Sequence, residues 1–166
     1  MATEPSTEAS FQGLVAQLDY SMLVVTAAAE GEHAGCLIGF ATQVSIHPPR
    51  FLACLSVKNR TFRVAQHARV LAVHFVTVDD DELAELFGGQ TGDEIDKFKR
   101  VEWRPGPDGA PVITKLQNWF AGRILDRYDF GDHQGFLLEP IEGEAGRAET
   151  TLTFHRAKRI EPGHEP

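Results

Sequence analysis

Apolar positions fall into short blocks of two kinds. Phe11, Leu14, Val15 and Leu18 recur at i, i+3, i+4 and i+7, which predicts an amphipathic helix with Ser10 as its N-cap. Met22 to Ala29 is a run of β-branched and small apolar residues, closed by the turn-like Glu30-Gly31-Glu32-His33. Strands are expected from Cys36 to Ser45, ended by His47-Pro48-Pro49, and from Phe51 to Ser56. Such close spacing suits hairpins and meanders and leaves no room for βαβ crossovers.

Thr61, Val64, Ala65 and Ala68 mark a short helix, and Val70 to Val78 is a strongly apolar strand. Asp79-Asp80-Asp81 opens a helix carried by Leu83, Leu86 and Phe87, with the acids at its positive end and Gly88-Gly89 beyond it. Gln90 to Lys99 is polar, with room for one helical turn, and Pro105 to Gly109 reads as a hairpin tip. Late strands are expected at Asn118–Tyr128, Gln134–Pro140 and Thr151–His155. The predicted class is mainly β with short helices, arranged as a barrel with helical decoration.

At 166 residues the chain suits one domain, placed over residues 10–160. Residues 1–9 read as a disordered N-terminus and 161–166 as a frayed tail. The net charge of −8 argues against nucleic acid and anionic membranes as partners, since both reward a basic face. The N-terminus has no basic and apolar leader, and no apolar run is long enough to span a bilayer, so a cytoplasmic protein is expected. Cys36 and Cys54 sit in apolar runs without metal-ligand spacing and read as buried, reduced strand residues. No metal site, GxGxxG, P-loop or GxSxG is present, so a nucleotide bound here is not held in a Rossmann or P-loop cradle.

Three segments are candidates for chemistry. Ser56-Val57-Lys58-Asn59-Arg60-Thr61 lies between a strand and a helix and combines small donors with two bases. It reads either as a phosphate site or as a plain N-cap beside solvated bases. Gly39, in the strand that runs into Ala41–Ser45, either lets a planar ring approach the backbone or bulges at a barrel corner. Gly131-Asp132-His133 offers either a histidine that moves a proton or orients a ring, or a tight turn.

The order of these segments resembles the short-chain flavin reductases, which include the reductase components of two-component flavin-dependent monooxygenases, and the flavoredoxin-like proteins. The likeness runs from about Phe11 to His155. It rests on Leu23-Val24-Val25-Thr26, Ala41–Ser45 with Pro48-Pro49, Lys58-Asn59-Arg60-Thr61, Leu83–Phe87 and Asp96-Lys97-Phe98. Trp103-Arg104-Pro105, Gly109-Ala110-Pro111 and Gly131-Asp132-His133 complete it.

The resemblance implies a homodimeric, FMN-binding split β-barrel, with FAD in some members. It places Leu37, Ile38, Gly39 and Phe40 against the flavin ring and Ser56, Val57, Lys58, Asn59 and Thr61 at its phosphate. By the same likeness Phe87, Lys97 and Phe98 close over the flavin edge, and His133, the catalytic candidate, lies near the nicotinamide or the flavin's exposed face. The implied activity is hydride transfer from NADH or NADPH to flavin, supplying a partner monooxygenase or another acceptor. Where family members usually carry Ser or Thr, this chain has Leu37, Gly39 and Phe40. That departure keeps a second function in view, an FMN-binding electron carrier or sensor without reductase activity. A third is a relative that has lost flavin.

Overall fold

The computed structural model describes residues 6–160 and 163. Among the described residues nine strands form in chain order: β1 (Leu23–Ala29), β2 (Glu32–Ile38), β3 (Ala41–Ser45), β4 (Arg50–Ser56), β5 (Val70–Phe75), β6 (Trp103–Pro105), β7 (Pro111–Ile113), β8 (Trp119–Asp129) and β9 (His133–Glu144). The helices are α1 (Thr7–Val15), α2 (Arg60–Ala65), α3 (Asp81–Gly88) and α4 (Phe154–Ala157), with a 3₁₀ turn at Lys97–Lys99. Seven strands make one antiparallel sheet in the order β2-β1-β5-β8-β9-β4-β3, while β6 and β7 pair separately. The large sheet rolls around its core but does not close, because β2 and β3 remain its edges.

Strand alternation sorts the apolar residues onto two faces. Leu23, Val25 and Ala27 of β1 point inward with Cys36, Ile38, Leu55, Leu71, Val73, Phe136 and Leu138, and α2 plugs this interior with Val64 and Ala65. Val24 points outward into a second core made with Leu83, Leu86 and Phe87 of α3, Ile113 and Ala157 of α4. Buried His74 links three strands, since its Nδ1–H donates to the Val24 carbonyl at 3.0 Å and its Nε2 accepts from the Ile113 N–H at 3.0 Å. Because the Ile113 amide can only donate, the ring is the neutral Nδ1–H tautomer. Burial pulls its pKa from 6.5 down to about 4.

Four expectations need correction. The expected strand at 36–45 is two strands, because β2 ends at Ile38 and Gly39-Phe40 turns the chain into β3. Thr151–His155 is not a strand. Thr151 and Thr153 make isolated bridges to Thr77 and Ser21, and the chain then coils into α4. Helix α1 begins at Thr7 and is capped by Ser6 rather than Ser10. It buries none of its residues, with Phe11 and Leu14 58% and 65% exposed. Residues 1–5 and most of 161–166 lie outside the described residues.

Candidate functional site

A cavity of about 450 Å³ opens where the junction between β2 and β3 meets the ends of β4 and β9. Leu37, Ile38, Gly39 and Phe40 line one side, Cys54, Ser56 and Asn59 another, and His133 stands at the edge. The register explains this convergence. Ser56 lies directly opposite His133, and Cys54 opposite Gly135, in the β4–β9 ladder. Their side chains therefore share one face of the sheet, opposite to buried Ala53, Leu55 and Phe136.

Glycines shape the walls. A Cβ on Gly39 would overlap the Tyr20 ring, and one on Gly88 would lie 2.9 Å from Leu37 Cδ2. At the polar end, Asn59 caps α2 by accepting the Thr61 N–H at 2.9 Å, and Ser56 Oγ faces the Lys58 amide at 3.4 Å. Val57 donates its N–H to the Asp132 carbonyl at 3.0 Å, which ties this loop to the turn before β9. Gly131 supplies the positive φ of 114° that this turn requires.

Asp132 Oδ1 accepts from His133 Nδ1 at 2.7 Å, so in the neutral imidazole Nε2 carries no proton. The hydrogen bond and charge of His133 hold the Asp132 carboxyl below the usual carboxylate range. Four rings run along the mouth: Phe154 stacks on Tyr20 at 4.9 Å, Tyr20 meets Phe40 at 6.3 Å, and Phe40 meets His133 at 4.9 Å.

The remaining expected residues lie elsewhere. Thr61 is buried on α2 and, with Lys97 and Phe98, lines a separate polar hollow of about 410 Å³. Phe87 is 1% exposed within the second core, in edge contact with Phe98. Lys97 donates from Nζ to the carbonyls of Gly35 and Phe87, each at 3.1 Å, and burial lowers its pKa. Phe87, Lys97 and Phe98 thus sit between β2 and α3, beside the ring cavity rather than among the residues that line it. Val57 and Lys58 are exposed beside the cavity rather than lining it.

Sequence reasoning missed Tyr20, Met22, Cys54, Gly88 and the α4 segment with Phe154, Ala157, Lys158 and Ile160, all of which line the cavity. The apolar setting of Cys54 was visible, but its outward direction needs the β4 register. Both cysteines are free: Cys36 is buried, Cys54 half-buried, and burial pushes both thiols up. Among the described residues no group of three or more His, Cys, Asp or Glu is arranged to hold a metal ion. No described helix is long and apolar enough to cross a membrane.

The chain is 27% identical to the reductase component of the 4-nitrophenol 4-monooxygenase/4-nitrocatechol 2-monooxygenase of Rhodococcus opacus, over 93% of this chain and 81% of that protein. It is 28% identical to the FMN reductase (NADH) RutF of Methylorubrum extorquens, over 97% and 78%. A flavin reductase relative from Rhizobium meliloti is 30% identical over 66% of this chain, which spans 35% of that longer protein. Among solved structures, the NADH:FAD oxidoreductase of Streptomyces globisporus C-1027 superposes with a TM-score of 0.80 at 24% identity, covering 93% of this chain and 92% of that one. The model of the flavin reductase like domain matches residues 15–162. The chain belongs to the flavin reductase like domain family.

Proposed function

We propose that this protein is an NAD(P)H-dependent flavin reductase that holds FMN in the cavity between Leu37–Phe40 and His133. The observation that carries the reading is the convergence of a flat, glycine-cut wall, two polar side chains and a carboxylate-held histidine on one cavity. Its volume of about 450 Å³ falls within the range of cofactor sites, about 300–1,000 Å³. An apolar wall with a polar end also suits the group, since FMN joins a planar tricycle, apolar at its benzenoid end and polar at its pyrimidine end, to a phosphorylated chain. Flavin supplies the redox chemistry, accepting hydride from the nicotinamide and passing electrons onward.

The chain's own residues bind and orient. Leu37, Ile38 and Gly39 present an apolar face and bare backbone to the ring system. Ser56 and Asn59 offer hydrogen bonds at the polar end, and Lys58 beside them offers charge to a phosphate monoester. Asp132 fixes the His133 tautomer, so Nε2 accepts a hydrogen bond or a proton at the nicotinamide side. The Rhodococcus opacus relative is a monooxygenase reductase component, which supports delivery of reduced flavin to a partner monooxygenase. FAD is the competing flavin, and the cytoplasm is the proposed site of action.

A homodimer is part of the reading. On the outer face of the sheet, half-buried Leu52 and Leu137 with Tyr128 and Phe130 form an apolar strip continuous with the Cys54 and Ser56 side of the cavity. A second copy covering this strip would also wall the flavin site. One specific feature favours a second function, an FMN-binding electron carrier or sensor: Phe40 and His133 already fill the cavity mouth with paired rings.

Spectral titration with FMN and riboflavin tests the site. The wild type is expected to bind FMN more tightly, and Lys58→Ala to weaken FMN by tenfold or more with little effect on riboflavin. Equal loss for both ligands would remove the phosphate role. No binding of either flavin would remove the whole reading.

A further inference from the structure

We propose that Phe40 is a displaceable cover for the flavin: its phenyl ring shields the exposed ring face until the nicotinamide takes its place. The inference rests on the flavin reading above and adds how the second planar ring gains access.

In the row of rings at the cavity mouth, the outer members are fixed. Phe154 donates its N–H to the Tyr20 carbonyl at 2.8 Å and stacks on that ring with an interplanar angle of 17°. His133 is held by Asp132 at 2.7 Å and by its register opposite Ser56. Phe40 differs. Its backbone is pinned, since the Cys54 N–H donates to the Phe40 carbonyl at 2.9 Å and the Ala41 N–H to Gly39 at 3.1 Å. Gly39 is pressed against Tyr20 with no room for a Cβ. Yet the Phe40 phenyl is 55% exposed and belongs to neither apolar cluster that flanks the cavity.

The Phe40 ring meets other rings, with His133 at 4.9 Å and 49° and Tyr20 at 6.3 Å and 57°. These separations lie in the range of ordinary aromatic contacts, about 4.5–7 Å. A flavin or a nicotinamide offers the same kind of contact, so one ring can take the place of another. Movement needs only a side-chain rotamer change on a fixed backbone. Exposed side chains make such changes in picoseconds to nanoseconds, well ahead of turnover.

The test uses FMN-loaded full-length protein and the rate at which sulfite bleaches bound FMN, a reaction that needs open access to the ring. Phe40→Ala is expected to bleach at least fivefold faster than wild type. Adding NAD⁺ should restore shielding in the variant, at a several-fold lower NAD⁺ concentration than wild type needs to bind. Phe40→Leu, which keeps bulk and checks folding, should fall between the two. Equal bleaching rates in wild type and Phe40→Ala, or weaker NAD⁺ binding in the variant, would overturn the proposal. Loss of FMN binding in Phe40→Ala and Phe40→Leu would also overturn it, by making Phe40 part of the fixed wall. Failure of the wild type to bind FMN would instead strike the flavin reading itself.

Discussion

Lowering the pH from 7.5 to 5 should cost the fold about 2 kcal/mol through His74 alone. The imidazole is buried, donates to Val24 and accepts from Ile113, and its pKa falls from 6.5 in the unfolded chain to about 4 in the folded protein. Between those values the unfolded chain binds the proton and the folded one does not. The stabilisation is therefore complete above pH 6.5 and lost as pH falls toward 4. The full difference corresponds to about 3 kcal/mol, since one pKa unit is about 1.4 kcal/mol. The carboxylates of Asp19, Asp93 and Asp132 are held below 3.8, so their contributions are lost mainly below pH 5. Urea unfolding followed by fluorescence, with Trp119 stacked 6.5 Å from the imidazole as a local reporter, measures the effect at half-unit pH steps. His74→Phe leaves the Ile113 amide without its acceptor, at about 1–3 kcal/mol, but removes the titrating group. Its stability should then be nearly flat from pH 7.5 to 5. A wild type with no loss in that window, or a variant with the same slope, would refute the assignment.

Gly39→Ala should weaken FMN binding tenfold or more and also lower the urea midpoint, because the added methyl overlaps the Tyr20 ring that Phe154 holds at the cavity wall; an unchanged affinity in a flavin titration would contradict the close approach. Lys97→Met should destabilise the fold by about 2–4 kcal/mol in urea unfolding, because two buried carbonyls lose their donor. A change under 1 kcal/mol would mean that water replaces the ammonium. Changing Phe11 and Leu14 of α1 to serine should leave stability within about 0.5 kcal/mol for each, as both are already exposed. Phe130→Glu should halve the mass seen by sedimentation if the outer strip is the dimer contact, and an unchanged mass would discard that contact.

Strand positions were legible where strand length and alternation agreed, as in β1, β4 and β8. Gly39-Phe40 defeated the reading because a two-residue break inside an apolar run leaves the composition unchanged. Thr151–His155 failed for a related reason. Threonine-rich residues favour strands locally, but here they find only single bridges before the chain coils into α4. Within the site, Leu37–Phe40, Ser56, Asn59 and His133 could be named from motif order. The opposite wall could not. Tyr20 and Phe154 lie far apart in sequence and meet only through tertiary packing. Lys97 was named from its motif, but its bonds to the Gly35 and Phe87 carbonyls were not legible, because they join residues of three separate elements.

Hydride transfer from a nicotinamide to flavin in this cavity is read by mixing FMN-loaded protein with NADH, and separately NADPH, under nitrogen and following the flavin's visible absorbance. Rapid bleaching by at least one nicotinamide is expected, with recovery of colour on admitting oxygen. A protein that binds FMN but keeps its colour with both would contradict reductase activity and leave the electron carrier or sensor as the function of this fold.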